Sequence, residues 1–341
     1  MTRNDLRASV IVPVLNEAQF IERSVGAILE QRLDGEFEIL VIDGGSGDGT
    51  PEILERLAGE HPNIRVLSNP ARLIPNALNI GLRHARGEYI ARMDAHTYYP
   101  PNYIATAVAR FEAGDVACVS GPQEPCGEDE WSRRIALALH SRLGIGGASF
   151  RNPSREMEVD TAFTGVWLRS TLLEVGGWDE DWPINEDAEL AARIRARGGR
   201  YVSVPEMAAR YVPRRSLRAL GLQYWRYGQY RAKTARRHPN ALRRSHLLPP
   251  AVTATAVVAP LRGRFGGLAR AAIVFYFAAL AAGSVHVAVG ADARPRDTAS
   301  LPVVFAVMHL SWGAGFLVGS MRFGPPIAAL ARLIGRGRGQ V

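Results

Sequence analysis

Four short apolar runs constrain this chain most. Each ends on a polar residue, and a stretch of helical spacing follows it. ASVIVPVL (8–15) is apolar almost throughout, the pattern of a strand covered on both faces. EAQFIERSVGAILEQ (17–31) then places Phe20, Ile21, Val25, Ile28 and Leu29 at helical spacing. FEILVID (37–43) reads as the second strand. GTPEILERLAGEH (49–61) reads as a helix opened by Thr50 as N-cap, with Pro51 in its first turn. NIRVLSN (63–69), LIPNALNIGLRHA (73–85), GEYIARMD (87–94) and PNYIATAVARFEAG (101–114) continue as strand, helix, strand, helix. Such alternation predicts an open parallel α/β sheet. Ligands of such sheets collect at the carboxyl ends of the strands. Asn16-Glu17, Asp43 and Asp94 stand at three of those ends.

The turn DGGSGDGT (43–50) carries four glycines, two acids, Ser46 and Thr50. Glycine lets backbone approach a ligand closely. The turn lacks the G-x-G-x-x-G spacing of dinucleotide folds and the lysine of a P-loop. Its carboxylates suit the hydroxyl and imide donors of a nucleoside better than phosphate. The same residues also suit a tight structural turn. Asp94-Ala95-His96 presents a similar choice. Residues i and i+2 of an extended segment point the same way, so both could reach one cation. The segment could equally be a polar strand end.

VIVPVLNE, VIDGGSGDGT and RMDAH, in that order, resemble the motifs of family 2 glycosyltransferases. TGVWLRSTLLEVGGWDED (164–181) is similar to that family's acceptor-side segment, NEDAELAARIRARGGR (185–200) to its E-D motif, and QYWRY (223–227) to Q-x-x-R-W with Tyr227 in place of Trp. The C-terminal segment MHLSWGAGFLVG further resembles a branch of the family that acts in succinoglycan biosynthesis. The resemblance implies a GT-A fold, a Rossmann-like mixed α/β sheet of nucleotide-diphospho-sugar transferases. It implies that Pro13, Glu17, Asp43, Ser46, Asp48, Arg72, Asn76 and Asn79 line the nucleotide-sugar pocket. It further implies that Gln223 and Arg226 hold the pyrophosphate, and that Asp94 and His96 take the metal positions for Mg²⁺ or Mn²⁺. Asp187 would be the general base, supported by Glu186. Glu186 and Asp187 also suit the N-terminus of the helix they precede. Arg226 lies among eleven basic residues and no acid between 210 and 246, a run that equally suits solvent or a membrane. Trp167, Trp178 and Trp182 suit sugar stacking or core packing.

Charge divides the chain. Residues 1–209 hold 21 Arg against 31 acids, and residues 210–341 hold 20 basic residues against 2 acids. An acidic front joined to a basic rear suggests a water-soluble domain on a membrane-facing tail. AAIVFYFAALAAGSVHVAVGA (271–291) and LPVVFAVMHLSWGAGFLVGSM (301–321) are each long enough for a hydrocarbon core of about 30 Å. LLPPAVTATAVVAPL (247–261) is shorter, carries three prolines and suits the interface better. With two spans, the 210–270 region and Arg332, Arg336 and Arg338 share one side, as the positive-inside rule prefers. Two buried helices of a soluble bundle are the other reading.

The expected organisation is a cytoplasmic glycosyltransferase domain over 1–209, a basic, aromatic juxtamembrane segment over 210–270, and an anchor over 271–341 with transmembrane helices at 271–291 and 301–321. The start MTRNDLRAS has no apolar region, so no secretory leader is expected. Cys118 and Cys126 fit reduced thiols rather than a disulfide framework. The expected activity is membrane-anchored, inverting transfer of a hexose from a nucleotide-sugar such as UDP-glucose. The acceptor would be a lipid-linked saccharide in exopolysaccharide biosynthesis, at the cytoplasmic face of the inner or plasma membrane, as a multi-pass protein. A polyprenyl-phosphate glycosyltransferase and a non-catalytic scaffold are the alternatives. The missing dinucleotide fingerprint disfavours a dehydrogenase, and the membrane-like segments beside the basic tail, with no recognition motif, argue against nucleic acid as partner.

Overall fold

The computed structural model describes residues 6–145, 155–291 and 293–335. In chain order the elements are β1 (Leu6–Val14), α1 (Ile21–Leu29), β2 (Glu36–Asp43), α2 (Thr50–Glu60), β3 (Ile64–Ser68), α3 (Ile74–His84), β4 (Tyr89–Arg92), β5 (Thr97–Tyr98), α4 (Tyr103–Glu112), β6 (Cys118–Ser120) and β7 (Gln123–Pro125). They continue with α5 (Glu130–His140), α6 (Arg142–Ile145), β8 (Met157–Glu158), β9 (Gly165–Leu168), α7 (Arg169–Glu174), α8 (Glu186–Ala196), β10 (Tyr201–Ser203) and β11 (Ala209–Tyr211). The C-terminal helices are α9 (Leu217–Arg237), α10 (Leu248–Val258), α11 (Arg264–Gly290), α12 (Pro295–Phe323) and α13 (Ile327–Gly335). Two compact units result, Met1–Glu124 with Ser149–Tyr211, and Pro125–Ala148 with Val212–Val341. The segment Pro125–Ala148 lies inside the 1–209 stretch read as one domain, yet it groups with the C-terminal helices.

In the first unit eight strands run in the order β3-β2-β1-β4-β9-β6-β10-β8. The four strands expected from the alternation pair in parallel. β9 then lies antiparallel between β4 and β6. The all-parallel expectation is corrected here, and the sheet is the mixed one implied by the family resemblance. The cause is local: a loop, rather than a crossover helix, leads into β9.

Period-two alternation explains both covered faces. Val10, Val12 and Val14 of β1, with Ile39 and Val41 of β2, pack under α1, α2 and α4. Ile11, Leu40 and Ile42 point the other way, toward α3 and α8. At Gly81 of α3 an added Cβ would lie 2.5 Å from Ile11 Cγ2, so only glycine lets α3 close onto β1. Pro13 sits in β1 beyond Ile11↔Arg92, the last pair of the β4 ladder, so on that side its missing N–H costs no hydrogen bond. Thr50 is not the N-cap of α2. Gly49 takes that place with φ 86°, a left-handed conformation that suits glycine.

The second unit is helical. The segment 271–291 lies almost wholly in α11 and 301–321 lies in α12, both long and apolar enough to cross a membrane. The 247–261 stretch gives only the 11-residue α10. Arg332 lies in α13, and Arg336 and Arg338 lie outside the described residues.

Glu38 is the polar anchor of the first unit's core. It is 2% exposed and accepts from Ser9 Oγ (2.8 Å), Arg86 N (2.9 Å) and Arg86 Nη2 (3.0 Å). Burial pushes its carboxyl up, but the Ser9 and Arg86 hydrogen bonds outweigh that, and the net shift is downward. A depressed carboxyl stabilises the fold above its unfolded value of 4.5, and that contribution fades as pH falls through the folded value. Glu38→Ala takes the acceptor from the buried Ser9 hydroxyl, while Arg86 N keeps Ser9 Oγ (3.1 Å), so a loss of about 1–3 kcal/mol at pH 7 is expected. Urea titrations at pH 7 and below pH 4 check this: the gap between wild type and variant should narrow in acid.

Candidate active site

Three strand ends of the first unit meet as the sequence spacing suggested. After β1 the chain turns at Asn16, a non-glycine residue at φ 56°. The turn is docked on the glycine-rich loop after β2. Asn16 N donates to Ser46 Oγ (2.8 Å), Glu17 N to Thr50 Oγ1 (2.9 Å), Ala18 N to Asp48 Oδ2 (3.1 Å), and Gly47 N to Asn16 Oδ1 (2.9 Å).

The two loop carboxylates face inward as well as outward. Asp43 accepts from Ser46 Oγ (2.6 Å) and from the backbone N–H groups of Gly45 (3.1 Å) and Ser46 (3.2 Å). Asp48 Oδ1 accepts from Thr50 Oγ1 (2.6 Å), and that hydroxyl is the main reason its carboxyl is held low. Both acids therefore shape the loop. Arg72, another left-handed residue (φ 58°), reaches across to donate to Gly45 O (3.0 Å).

Asn76 and Asn79 of α3 are held by the 178–180 segment. Asn76 Nδ2 donates to Glu180 Oε2 (2.6 Å). Asn79 grips the Trp178 backbone in both directions, donating to its carbonyl (2.8 Å) and accepting from its N–H (2.9 Å). Trp167, Trp178 and Trp182 are buried, and the first two meet edge to face at 5.8 Å. They pack in the core.

The centre of the site is a residue that sequence reading passed over. Arg92, at the end of β4, is 1% exposed. Its Nε donates to Asp94 Oδ1 (2.9 Å), its Nη2 to Asp94 Oδ2 (3.3 Å) and its Nη1 to Glu186 Oε1 (2.9 Å). The Phe163 ring lies against it at 5.0 Å. One guanidinium thus joins the carboxylate after β4 to the first residue of α8. Asp94 is 5% exposed, and its N–H donates to Tyr99 Oη (2.8 Å). Glu186 is equally buried. Burial pushes its carboxyl up to about 7, against the pull of Arg92 and with a further push from Asp187. Asp187 is half-buried, and Thr161 Oγ1 donates to its Oδ2 at 3.4 Å. The signal for Arg92 was its parity: an arginine two residues before Asp94, inside a strand, shares a face with it.

His96 Nδ1 lies 3.2 Å from Glu17 Oε1, so the β1 and β4 ends touch through these two side chains. Among the described residues no three His, Cys, Asp or Glu side chains converge as a complete metal shell. Thr97 N donates to Asp94 O (3.1 Å), so 94–97 is a turn and not the extended segment expected to aim Asp94 and His96 alike. The two remain the candidate donors, Asp94 with Arg92 occupying two of its roughly four lone-pair positions. Such a sparse set fits Mg²⁺ or Mn²⁺, ions that take one or two protein ligands and fill the rest with water and phosphate oxygens.

Gln223 and Arg226 belong to α9 of the second unit. There Gln223 Nε2 donates to Tyr227 Oη (2.9 Å), and Arg226 is exposed.

A mixed sheet with acids at its strand ends and a carboxylate pair opening α8 is the arrangement expected of a GT-A fold. Residues 9–170 match the sequence model of Glycosyl transferase family 2. The chain is 31% identical, over 90% of its own length and 93% of the relative's, to the succinoglycan biosynthesis protein ExoA of Rhizobium meliloti (strain 1021). It is 25% identical, over 64% of its length and 71% of the relative's, to the dolichyl N-acetyl-alpha-D-glucosaminyl phosphate 3-beta-D-2,3-diacetamido-2,3-dideoxy-beta-D-glucuronosyltransferase of Methanococcus voltae. Among solved structures, the mannosyltransferase PcManGT from Pyrobaculum calidifontis, in complex with GDP-Man and Mn²⁺, has the same fold. Its TM-score is 0.59 at 24% identity, over 96% of this chain and 87% of that one. The chain belongs to glycosyltransferase family 2.

Replacing Arg92 tests the junction. Arg92→Met leaves Asp94 and Glu186 buried without their cation, and a loss of about 3–5 kcal/mol is expected. A urea or thermal melt of the full-length protein checks it. Arg92→Lys, with a single point of charge, should recover less than half of the loss.

Proposed function

We propose that this family 2 enzyme moves a hexose, with inversion, from a UDP-sugar to a lipid-linked saccharide at a membrane surface. The observation that carries the reading is the Asp94–Arg92–Glu186 junction, with Asp187 beside it and less buried. Glu186 is committed to Arg92. Asp187 accepts a long hydrogen bond from Thr161 (3.4 Å), so it is the carboxylate with lone pairs to spare. That division supports Asp187 as general base and Glu186 as the residue that fixes the start of α8.

In this reading Asp187 accepts the proton of the acceptor hydroxyl as that oxygen attacks the anomeric carbon. The bond to the diphosphate breaks on the opposite face, and a single displacement inverts the centre. No carboxylate nucleophile is needed, unlike in retaining glycosidases. Mg²⁺ or Mn²⁺, held by Asp94 and His96, would neutralise charge on the departing phosphate oxygens. Glu17 steadies His96. The loop of Asp43, Ser46 and Asp48, with Pro13 and Arg72, offers backbone and side-chain polar groups to the nucleoside. Asn76 and Asn79 hold the 178–180 segment that borders the acceptor side.

The named role of the Rhizobium relative supports exopolysaccharide assembly. The name of the Methanococcus relative, with its sugar-bearing dolichyl phosphate, supports a saccharide on a lipid carrier as acceptor. The two long apolar helices support work at a membrane.

Asp187→Asn should lower kcat by about 10²–10⁴-fold while leaving donor affinity within a few-fold of wild type. Isothermal titration with UDP- and GDP-sugars, with and without Mn²⁺, reads the affinity, and transfer to lipid-linked acceptor reads the rate. Tight GDP-sugar binding with none of UDP-sugar would remove the donor assignment. Unchanged turnover in the variant would remove the base assignment.

A further inference from the structure

Asp94, the carboxylate at the proposed cation position, is already met by a positive charge. Arg92 donates to both of its oxygens, Nε to Oδ1 (2.9 Å) and Nη2 to Oδ2 (3.3 Å). The backbone of Asp94 is pinned as well. Its N–H donates to Tyr99 Oη (2.8 Å), and its carbonyl accepts from Thr97 N (3.1 Å) and Ser24 Oγ (3.3 Å). Held on both sides, the carboxylate cannot swing far from the guanidinium.

Arg92 keeps its charge. Burial opposes it, but Asp94, Glu186 and Asp187 outweigh the burial and hold the guanidinium charged. Water screens this pair poorly, since Arg92 is 1% exposed and Asp94 5%. A cation entering at Asp94 meets a positive neighbour at close range and has to share the carboxylate with it. The imidazole of His96 brings no negative charge to offset this.

Glu186 works in the other direction. Its Oε1 accepts from Nη1 of the same guanidinium at 2.9 Å, so part of the Arg92 charge is directed away from Asp94. The cation affinity of Asp94 therefore depends on how Arg92 is divided between two carboxylates. A diphosphate changes the balance. It supplies negative charge and, with water, the oxygen ligands that a pair of protein donors leaves lacking.

We propose that Arg92 holds Asp94 at low cation affinity, so that Mg²⁺ or Mn²⁺ is retained only together with the nucleotide diphosphate. Arg92 acts through Asp94 and is a positioning residue, and Glu186 sets the strength of its effect by sharing its charge. This role rests on the cation site proposed above and adds the order in which that site fills. By linkage, cation and nucleotide raise each other's affinity by one common factor.

The test uses the full-length protein in detergent, with Mn²⁺ as the probe. Mn²⁺ binding to nucleotide-free protein is read from the EPR signal of the unbound ion. UDP and GDP affinities are read by isothermal titration with and without Mn²⁺. Wild type should bind Mn²⁺ weakly alone, and Mn²⁺ should raise the affinity for one nucleotide by about tenfold or more. Arg92→Gln should raise nucleotide-free Mn²⁺ affinity by about 5- to 150-fold, and Asp94→Asn added to it should remove the gain. A purely structural Arg92 predicts the opposite, because its loss would misplace Asp94 and lower the affinity. An unchanged or lower affinity in Arg92→Gln, or a gain that survives Asp94→Asn, overturns the proposal and leaves the cation site standing. So does wild type that holds Mn²⁺ equally well without nucleotide. Glu186→Gln, which keeps the side-chain volume, serves where Arg92→Gln does not fold. It leaves Asp94 to face the whole Arg92 charge, so the Mn²⁺-dependent gain in nucleotide affinity should fall about fivefold or more, and no fall overturns the proposal. No effect of Mn²⁺ on wild type with either nucleotide removes the cation site itself, and the role of Arg92 with it.

Discussion

A single buried guanidinium sets the geometry on which the catalytic unit depends. Arg92 has no water to solvate it, so its charge must be met by Asp94 and Glu186. That requirement fixes where β4 must end and where α8 must begin, two points 94 residues apart in the chain. Buried ion pairs contribute little net stability but are strongly unfavourable to break. The junction therefore acts less as a source of stability than as a condition of register: a slip of β4 by one residue would turn Arg92 to the opposite face.

Around that junction the sheet supplies rigid positions and the loops supply chemistry. β1, β2 and β4 are covered on both faces, so their ends cannot drift. The loops after them carry the acids, amides and hydroxyls. The helix that opens at Glu186 brings its positive end toward two carboxylates, which favours their charge. Burial works against the same charge at Glu186. Asp187, one residue on, is less enclosed.

Much of the first unit could be read in advance, since its strands are short apolar runs with polar stops. Asp43, Asp94 and the Asn16-Glu17 pair fell where the period-two and helical patterns broke. Arg92 escaped because a lone arginine in a strand reads as an edge or solvent position until its partner at 186 is known. The 125–148 segment escaped for a similar reason: α5 meets its partner Asp297 some 163 residues later. The continuity from β4 into β9 was missed because a strand reached through a loop, not a helix, runs against the alternation that revealed the others.

The interlocked turns at 16–18 and 46–50 have a consequence for how fast and how selectively a ligand is captured. Their backbone N–H groups and hydroxyls are already fixed by Asn16, Asp43, Asp48 and Thr50. The conformational entropy of ordering this rim was lost during folding, so an incoming molecule does not have to offset it. A rim of this kind accepts shapes that fit as it stands and rejects those that would need it to rearrange.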